Sequence, residues 1–472
     1  VELDCDLTRP SRGGLSLDGL FPGLVVELTP YAAMRGLCNL EAAWFAARGY
    51  VALVGNIRGT GESAGEWMHA MSSQDGRDAR DLVEWLAMQP FCDGQVGQLG
   101  ESYGGQTTYG AAVERPPHRR ASTPMQSPGN LYDDVIYPGG IKTTEGGTID
   151  RWPPGAAIMS QGRIDADDEY ATNRSHPTFD GYWQDRALVG RVADIEVPVL
   201  AVGGWKDEYF RSGALALMEG LPQKTWCFYG QWPHMSPVSY EDPPKEGSLP
   251  GGVLLAWFDR WLRDDTSAPV PDNPTFVSFE GPERVGAGWR LLPGWSAEGR
   301  AATTWLLGAD GALTEDAVEG TVTIHQPAEP LEPGAACTFV SGVLRTDRVL
   351  VGWPILRFDA ILSAGDAHYY VELLDVAADG TEFLVTNGFL KASHRRSHRA
   401  PEPVPPRKRE TYTVKLRADH WRFVAGHRVR LRLSGASSSM LSPVPQPVDI
   451  ELFTGPTATL RLPGFSAPDP DA

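Results

Sequence analysis

The chain has 472 residues, 42% of them hydrophobic and 22% charged, and a net charge of −18. That length exceeds one ordinary core, so two domains, with room for an insertion, are expected. The acidic balance argues against a nucleic-acid partner and against an anionic membrane surface, and no apolar run approaches ~18 residues, so no membrane-spanning helix is predicted.

Short, continuous, β-branched-rich runs mark strands buried on both faces: 22–28 (PGLVVEL), 49–56 (GYVALVGN), 96–100 (VGQLG), 197–204 (VPVLAVGG) and 225–230 (TWCFYG). Helical patterns at 40–49, 77–89 and 254–264 separate several of them. Alternating strands and helices predict an α/β fold with a mainly parallel sheet, over 1–126 and 193–265. Residues 127–192 break the alternation. They are rich in Pro, Gly and aromatic residues and read as a cap inserted over the carboxyl edge of the sheet. After the Pro- and Asp-rich segment 264–274 the character changes to short strands punctuated by Asp-Gly turns. An all-β sandwich or jelly roll is predicted over 275–472.

Two stretches carry Gly-Glu-Ser-x-Gly, centred on Ser63 and Ser102. In so glycine-rich a chain the bare pattern arises by chance, so context must choose. A nucleophile elbow needs a buried strand, a tight turn and a helix in direct succession. Ser102 follows the run 96–99 at once and precedes a helix-compatible stretch; Ser63 lies in a Gly-rich loop with no helix before about residue 75. Ser102 is therefore the predicted nucleophile. In α/β-hydrolases the acid and then the base follow it, on loops after later strands. Asp207 follows the strand ending at 204 and His234 follows the one ending at 230. His69 precedes the serine and His118 follows it too closely to serve. For the oxyanion, the backbone amide of Tyr103 and the hydroxyl of Tyr31 are the candidate donors. Trp152 and Trp205 are assigned to an apolar substrate pocket.

With these residues assembled, the chain resembles the cocaine esterase and X-prolyl dipeptidyl aminopeptidase family of serine hydrolases. The resemblance rests on LTPY, NIRGTGESAGEW, CDGQVGQLGESYGG, GGWKDEYF, GQWPH and GHRVRLRLSGASS, in that order. It implies an α/β-hydrolase core, a cap, a C-terminal jelly roll, a triad at Ser102, Asp207 and His234, and an oxyanion hydroxyl at Tyr31. The Ser102–Asp207 interval looks short for the family and implies a reduced cap.

The function expected is cleavage of carboxylic esters, and of amides as an extension, through an acyl-enzyme. The alternative is an acylase, X-Pro-type aminopeptidase or α-amino acid ester hydrolase that recognises a free amine. In the amino-acid ester hydrolases of this family acidic side chains shortly after the catalytic Asp bind the ammonium. Here Tyr209 and Phe210 stand two and three positions beyond Asp207, so neutral esters are expected to be preferred, with Asp133, Asp134, Glu145 and the run 165–170 as substitute carboxylates. A carbohydrate-binding or adhesion protein with a dead hydrolase core is the rival from another class. A small-molecule ester or amide is the expected ligand, with no cofactor or metal, and a homo-oligomer is left open. Five scattered cysteines with no CxxC pair favour a reduced, cytoplasmic setting. The first residue is Val1, which leaves open a leader or a first strand ahead of it. The basic stretch 391–410 reads either as an anion-docking segment or as a solvated loop.

Overall fold

The computed structural model describes residues 1–143, 152–235, 237–282, 288–295, 301–328, 336–435 and 444–465. The predicted apolar runs form the centre of a nine-stranded sheet. Its strands are Cys5–Thr8 (β1), Phe21–Thr29 (β2), Val51–Asn56 (β3), Cys92–Glu101 (β4), Arg119–Met125 (β5), Val199–Gly204 (β6), Thr225–Gly230 (β7), Phe276–Glu280 (β8) and Gly288–Leu292 (β9), in the order β1-β3-β2-β4-β5-β6-β7-β8-β9. From β3 to β8 all neighbours are parallel, and β1 and β9 close the edges antiparallel. Every residue of β3 and of β6 is buried, because helices cover both faces of the sheet. Arg35–Ala46 (α1) packs with Leu24, Val26, Ala52 and Val54 on one face. Ser73–Ala87 (α2) packs with Val25, Val51 and Leu53 on the other. Tyr103–Val113 (α3) lies beside α2 so closely that Gly76 meets the backbone of Gly110.

β5 has no counterpart among the predicted strands. Three of its six buried positions are polar: Arg119, Ser122 and Thr123. The Arg119 guanidinium donates to Gln98 Oε1 (3.0 Å), Thr108 O (2.9 Å) and Ser122 Oγ (2.6 Å). A buried strand whose charge is satisfied in this way leaves no apolar run to read.

The cap is more regular than its sequence suggests. Its described part folds as a single π turn at Tyr132–Ile136, helices Trp152–Met159 (α4), Ala166–Ser175 (α5) and Gly181–Arg186 (α6), and a 3-10 stretch at Leu188–Asp194. Tyr132, Tyr137 and Trp183 pack ring against ring and join the α2-side core. Gly213–Gly220 (α7) and Gly251–Leu262 (α8) complete the helical layers.

The C-terminal half is a jelly-roll-like β domain in which eleven strands share one hydrogen-bonded network. Arg409–Lys415 alternates exposed and buried residues throughout, and the inward side chains converge on one cluster around Phe358, Tyr369, Tyr412 and Leu431. The stretch 275–280, which the sequence reads as the start of this half, pairs with β7 as β8 and extends the α/β sheet. The two halves are then stitched together: Gly281 N donates to His420 O (2.9 Å) and Arg422 N to Gly281 O (2.8 Å). The basic stretch 391–410 is for the most part an exposed loop, tied down at several points. Arg396 and Lys408 pair with Glu410 (2.9 and 3.0 Å), and His398 O accepts from Phe179 N of the cap (2.9 Å).

Candidate active site

β4 runs straight into α3, and Ser102 is the residue between them. Its backbone is forced to φ +59°, ψ −116°, a region that costs a non-glycine residue about 1–3 kcal/mol. Flanking glycines make the turn possible. A Cβ on Gly100 would lie 2.4 Å from Gly104 O, and one on Gly104 only 1.7 Å from Glu27 Oε1. Glu27 sits buried beneath the elbow and accepts the Glu101 N–H at 3.1 Å. Burial pushes its carboxyl well above the ordinary value.

The structure brings the three predicted side chains into one hydrogen-bonded line. Ser102 Oγ lies 2.8 Å from His234 Nε2, and His234 Nδ1 lies 3.0 Å from Asp207 Oδ2. Asp207 is fully buried, and its other oxygen accepts the amides of Tyr209 (2.8 Å) and Phe210 (2.9 Å). Those amides fix the carboxylate, and the two rings stand edge-on to the imidazole at 5.2 and 5.0 Å. Burial alone would depress the His234 imidazolium. The hydrogen bond and charge of Asp207, with the charges of Glu101 and Glu208, outweigh it and leave His234 above its ordinary value.

Tyr103 is the first residue of α3, where amides point out along the helix axis. Its ring is buried, with the hydroxyl donating to Asp75 (2.8 Å) and accepting from Met71 N (2.7 Å). Tyr31 stands edge-on to that ring at 6.1 Å and lines the same cavity as Ser102. This cavity holds about 310 Å³ and opens between α1 and the segment after His234, with Leu37, Trp44, Met235 and Val238 on its walls. Among its described lining residues are three carboxyl groups, Glu27, Glu41 and Glu101, and no Lys or Arg. Burial pushes Glu41 up to about 7, against a hydrogen bond from Tyr240 that favours its charged form.

Other candidates are not brought to this place. Trp205 is fully buried and its assignment to the pocket is corrected. Its backbone N–H continues the sheet register by bonding to Gly230 O (2.8 Å), which turns the indole into the core against Tyr229, with Nε1 on Ser278 Oγ (3.1 Å). Trp152 opens α4, but its side chain lies outside the described residues, as does Glu145. Ser63 is buried, donating to Asn56 O and accepting from Asp4 N, each at 2.8 Å. His69 pairs with Glu169 (3.1 Å) and His118 with Glu84 (2.7 Å). The cap carboxylates serve structure as well. Asp134 accepts from Gly129 N, Asn130 N and Ser212 Oγ, and Asp165 caps α5. Among the described residues no cluster of His, Cys, Asp or Glu could hold a metal ion, and no helix is long and apolar enough to cross a membrane. The sequence offered no sign of Gln126, which bonds to the backbone on both sides of His234. The strand that ends just before it, β5, carries no apolar run either.

Comparisons with known proteins agree with this architecture. The profile of the X-Pro dipeptidyl-peptidase (S15 family) matches residues 1–236, and that of the X-Pro dipeptidyl-peptidase C-terminal non-catalytic domain matches 262–462. A cocaine esterase from Rhodococcus sp. (strain MB1 Bresler) is 24% identical over 530 residues, covering 93% of this chain and 89% of its own. Among solved structures, a CocE/NonD family hydrolase from Staphylococcus aureus superposes with a TM-score of 0.83 at 18% identity, covering 98% of this chain and 91% of the other. An aminopeptidase from a marine sediment Thaumarchaeota archaeon gives 0.81 at 19%, covering 98% and 94%. At such identities the superpositions speak for the fold alone, whereas the two consecutive profiles span most of the sequence: the chain belongs to the S15 X-Pro dipeptidyl-peptidase family of serine hydrolases, the family of the CocE/NonD enzymes.

Proposed function

We propose that the protein hydrolyses carboxylic esters, and amides more slowly, through an acyl-enzyme on Ser102. The observation that carries this reading is the hydrogen-bonded line Ser102–His234–Asp207 on a strained strand-to-helix turn. Ser102 Oγ attacks the carbonyl carbon while His234 Nε2 takes its proton. Asp207 keeps the remaining proton on Nδ1 and stabilises the imidazolium. The oxyanion forms between the Tyr103 amide and the Tyr31 hydroxyl, whose hydrogen bonds strengthen as charge develops. His234 then protonates the leaving alcohol and activates the water that frees the acid. The test is a fluorophosphonate probe followed by peptide mapping, with a panel of p-nitrophenyl esters, amino-acid esters and X-Pro anilides. Labelling of Ser102 and turnover of simple esters are expected; labelling elsewhere refutes the assignment.

A second reading, recognition of a cationic group, is favoured by one observation. The cavity at Ser102 carries Glu27, Glu41 and Glu101 on walls that are otherwise mostly apolar. A desolvated ammonium is costly unless paired, and these carboxyls offer the pairing that Tyr209 and Phe210 do not. Matched esters of one alcohol, phenylacetate against phenylglycine, separate the readings. Preference for the amine-bearing ester that disappears in Glu41→Gln supports the second; a neutral preference supports the first.

A further inference from the structure

Three loops must hold their relative places for the site to work: the elbow after β4, the acid loop after β6 and the base loop after β7. One dipeptide at the carboxyl end of β5 touches the first and the third, and the strand that leads into the second. Met125 O accepts the N–H of Ser102 itself (3.0 Å), and Gln126 N donates to Val202 O inside β6 (2.8 Å). The side chain of Gln126 reaches the third loop. Its Nε2 donates to Pro233 O (2.7 Å) and its Oε1 accepts from Met235 N (2.9 Å). The two bonds fall on the residues immediately before and after His234. They also fix which end of the amide is which, because only this orientation matches donor to acceptor at both places.

We propose that Gln126 is a positioning residue for His234: one side-chain amide clamps the backbone on both sides of the imidazole and so holds Nε2 on Ser102. Asp207 secures the ring at Nδ1 alone, and an imidazole tethered there still moves if its backbone moves. The segment needs that restraint, since Met235 is held at φ +87°. The clamp has a cost of its own, because Gln126 is buried and adopts φ +41°. Room for it is made by Gly204, where a Cβ would meet Gln126 Nε2 at 2.9 Å and Trp232 O at 2.5 Å. A buried glutamine that merely satisfied its own amide would need neither the strained backbone nor two partners straddling the base.

The proposal rests on Ser102 and His234 being the reacting pair, so fluorophosphonate mapping comes first. A label on another serine refutes that reading; a label on Ser102 leaves the clamp to be judged separately. Two variants then judge it. Gln126→Met keeps the length of the side chain and removes both bonds. We expect kcat to fall by about 10²-fold with KM little changed, since small misplacements of a catalytic group cost about that much. Gln126→Glu is the sharper probe. A protonated carboxyl donates to Pro233 O and accepts from Met235 N, as the amide does. An ionised one repels the Pro233 carbonyl. The ratio of its kcat to wild type is therefore expected to be near one at the acid end and to fall as pH rises, while the ratio for Gln126→Met stays flat. A purely structural role would lower the melting temperature without moving either profile. A wild-type kcat in Gln126→Met, or a pH-independent ratio in Gln126→Glu, overturns the clamp. If Gln126→Met does not fold, the pH profile of Gln126→Glu decides.

Discussion

Ser102 and Ser63 share the same five-residue pattern and have opposite surroundings. Ser63 spends both sides of its hydroxyl on backbone, at Asn56 and Asp4. Ser63→Ala is expected to cost about 1 kcal/mol of stability, the scale of one buried hydrogen bond, and to leave kcat nearly intact. Ser102→Ala should lower kcat by about 10⁶-fold in a folded protein, as loss of a nucleophile does; comparable losses in the two variants would overturn the elbow assignment. Tyr31→Phe should lower kcat by about 10²–10³-fold with little change in KM, because a donor aimed at the oxyanion acts mainly in the transition state. A wild-type kcat in that variant rejects the role. His234 must be neutral to accept the serine proton, and its ionisation is raised above the ordinary 6.5. Activity should therefore rise with pH through a single ionisation above 6.5, and an acid limb centred below that value contradicts the Asp207 pairing. Ser102, Asp207 and His234 were legible because each comes shortly after the end of an apolar strand. Gln126 and Glu27 were not, since a glutamine after an unrecognised strand and a glutamate inside an apolar run carry no pattern of their own.

Elements succeed or fail here by how closely they approach one another. The turn from β4 to α3 tolerates only glycine at position 104, because Glu27 fills the space a methyl group would take. Gly104→Ala should destabilise the protein by about 1–3 kcal/mol, the usual cost of overpacking, and more if Glu27 cannot move. Thermal melts check this, and Glu27→Ala in the same chain should recover part of the loss; no recovery would mean that the clash lies elsewhere. The same scale explains what the sequence hid. Hydropathy reveals β2, β3, β4, β6 and β7 because their inward residues are apolar. It conceals β5, where Arg119 is buried on three oxygen acceptors, and it misplaces β8, whose alternating burial is that of a sandwich strand although its partner is β7. Alternation reports how a strand is covered, not which sheet it joins.

At the scale of the whole molecule, the all-β half braces the loop that carries Asp207. Lys206, one residue before it, pairs with Asp419 (2.6 Å), and Glu208 O, one residue after it, accepts from Arg417 (3.1 Å). Asp419 is fully buried and burial lowers the Lys206 ammonium below its ordinary value. Asp419→Ala would leave the half-buried Lys206 ammonium with Val385 O and the Trp421 ring as its partners, at about 1–3 kcal/mol for a lost charged hydrogen bond. A lower melting temperature and a lower kcat are both expected, although Asp419 touches neither Ser102 nor His234. A full kcat in a destabilised variant would show that the brace serves stability alone.

The stitch at Gly281, with Arg422 on Glu280 (2.6 Å) and His420 on Ser278 (2.8 Å), carries a lesson for inheritance and engineering. The proline-rich segment 264–274 looks like a seam at which one half could be exchanged for that of a relative. Yet β8 lies beyond it and pairs with β7 in the α/β sheet. A chimera joined there would place a foreign β8 beside β7 and would part Lys206 and Glu208 from the side chains that hold them. The halves of this protein can be traded only as a matched set, with residues 206–208, 276–281 and 417–422 changing together.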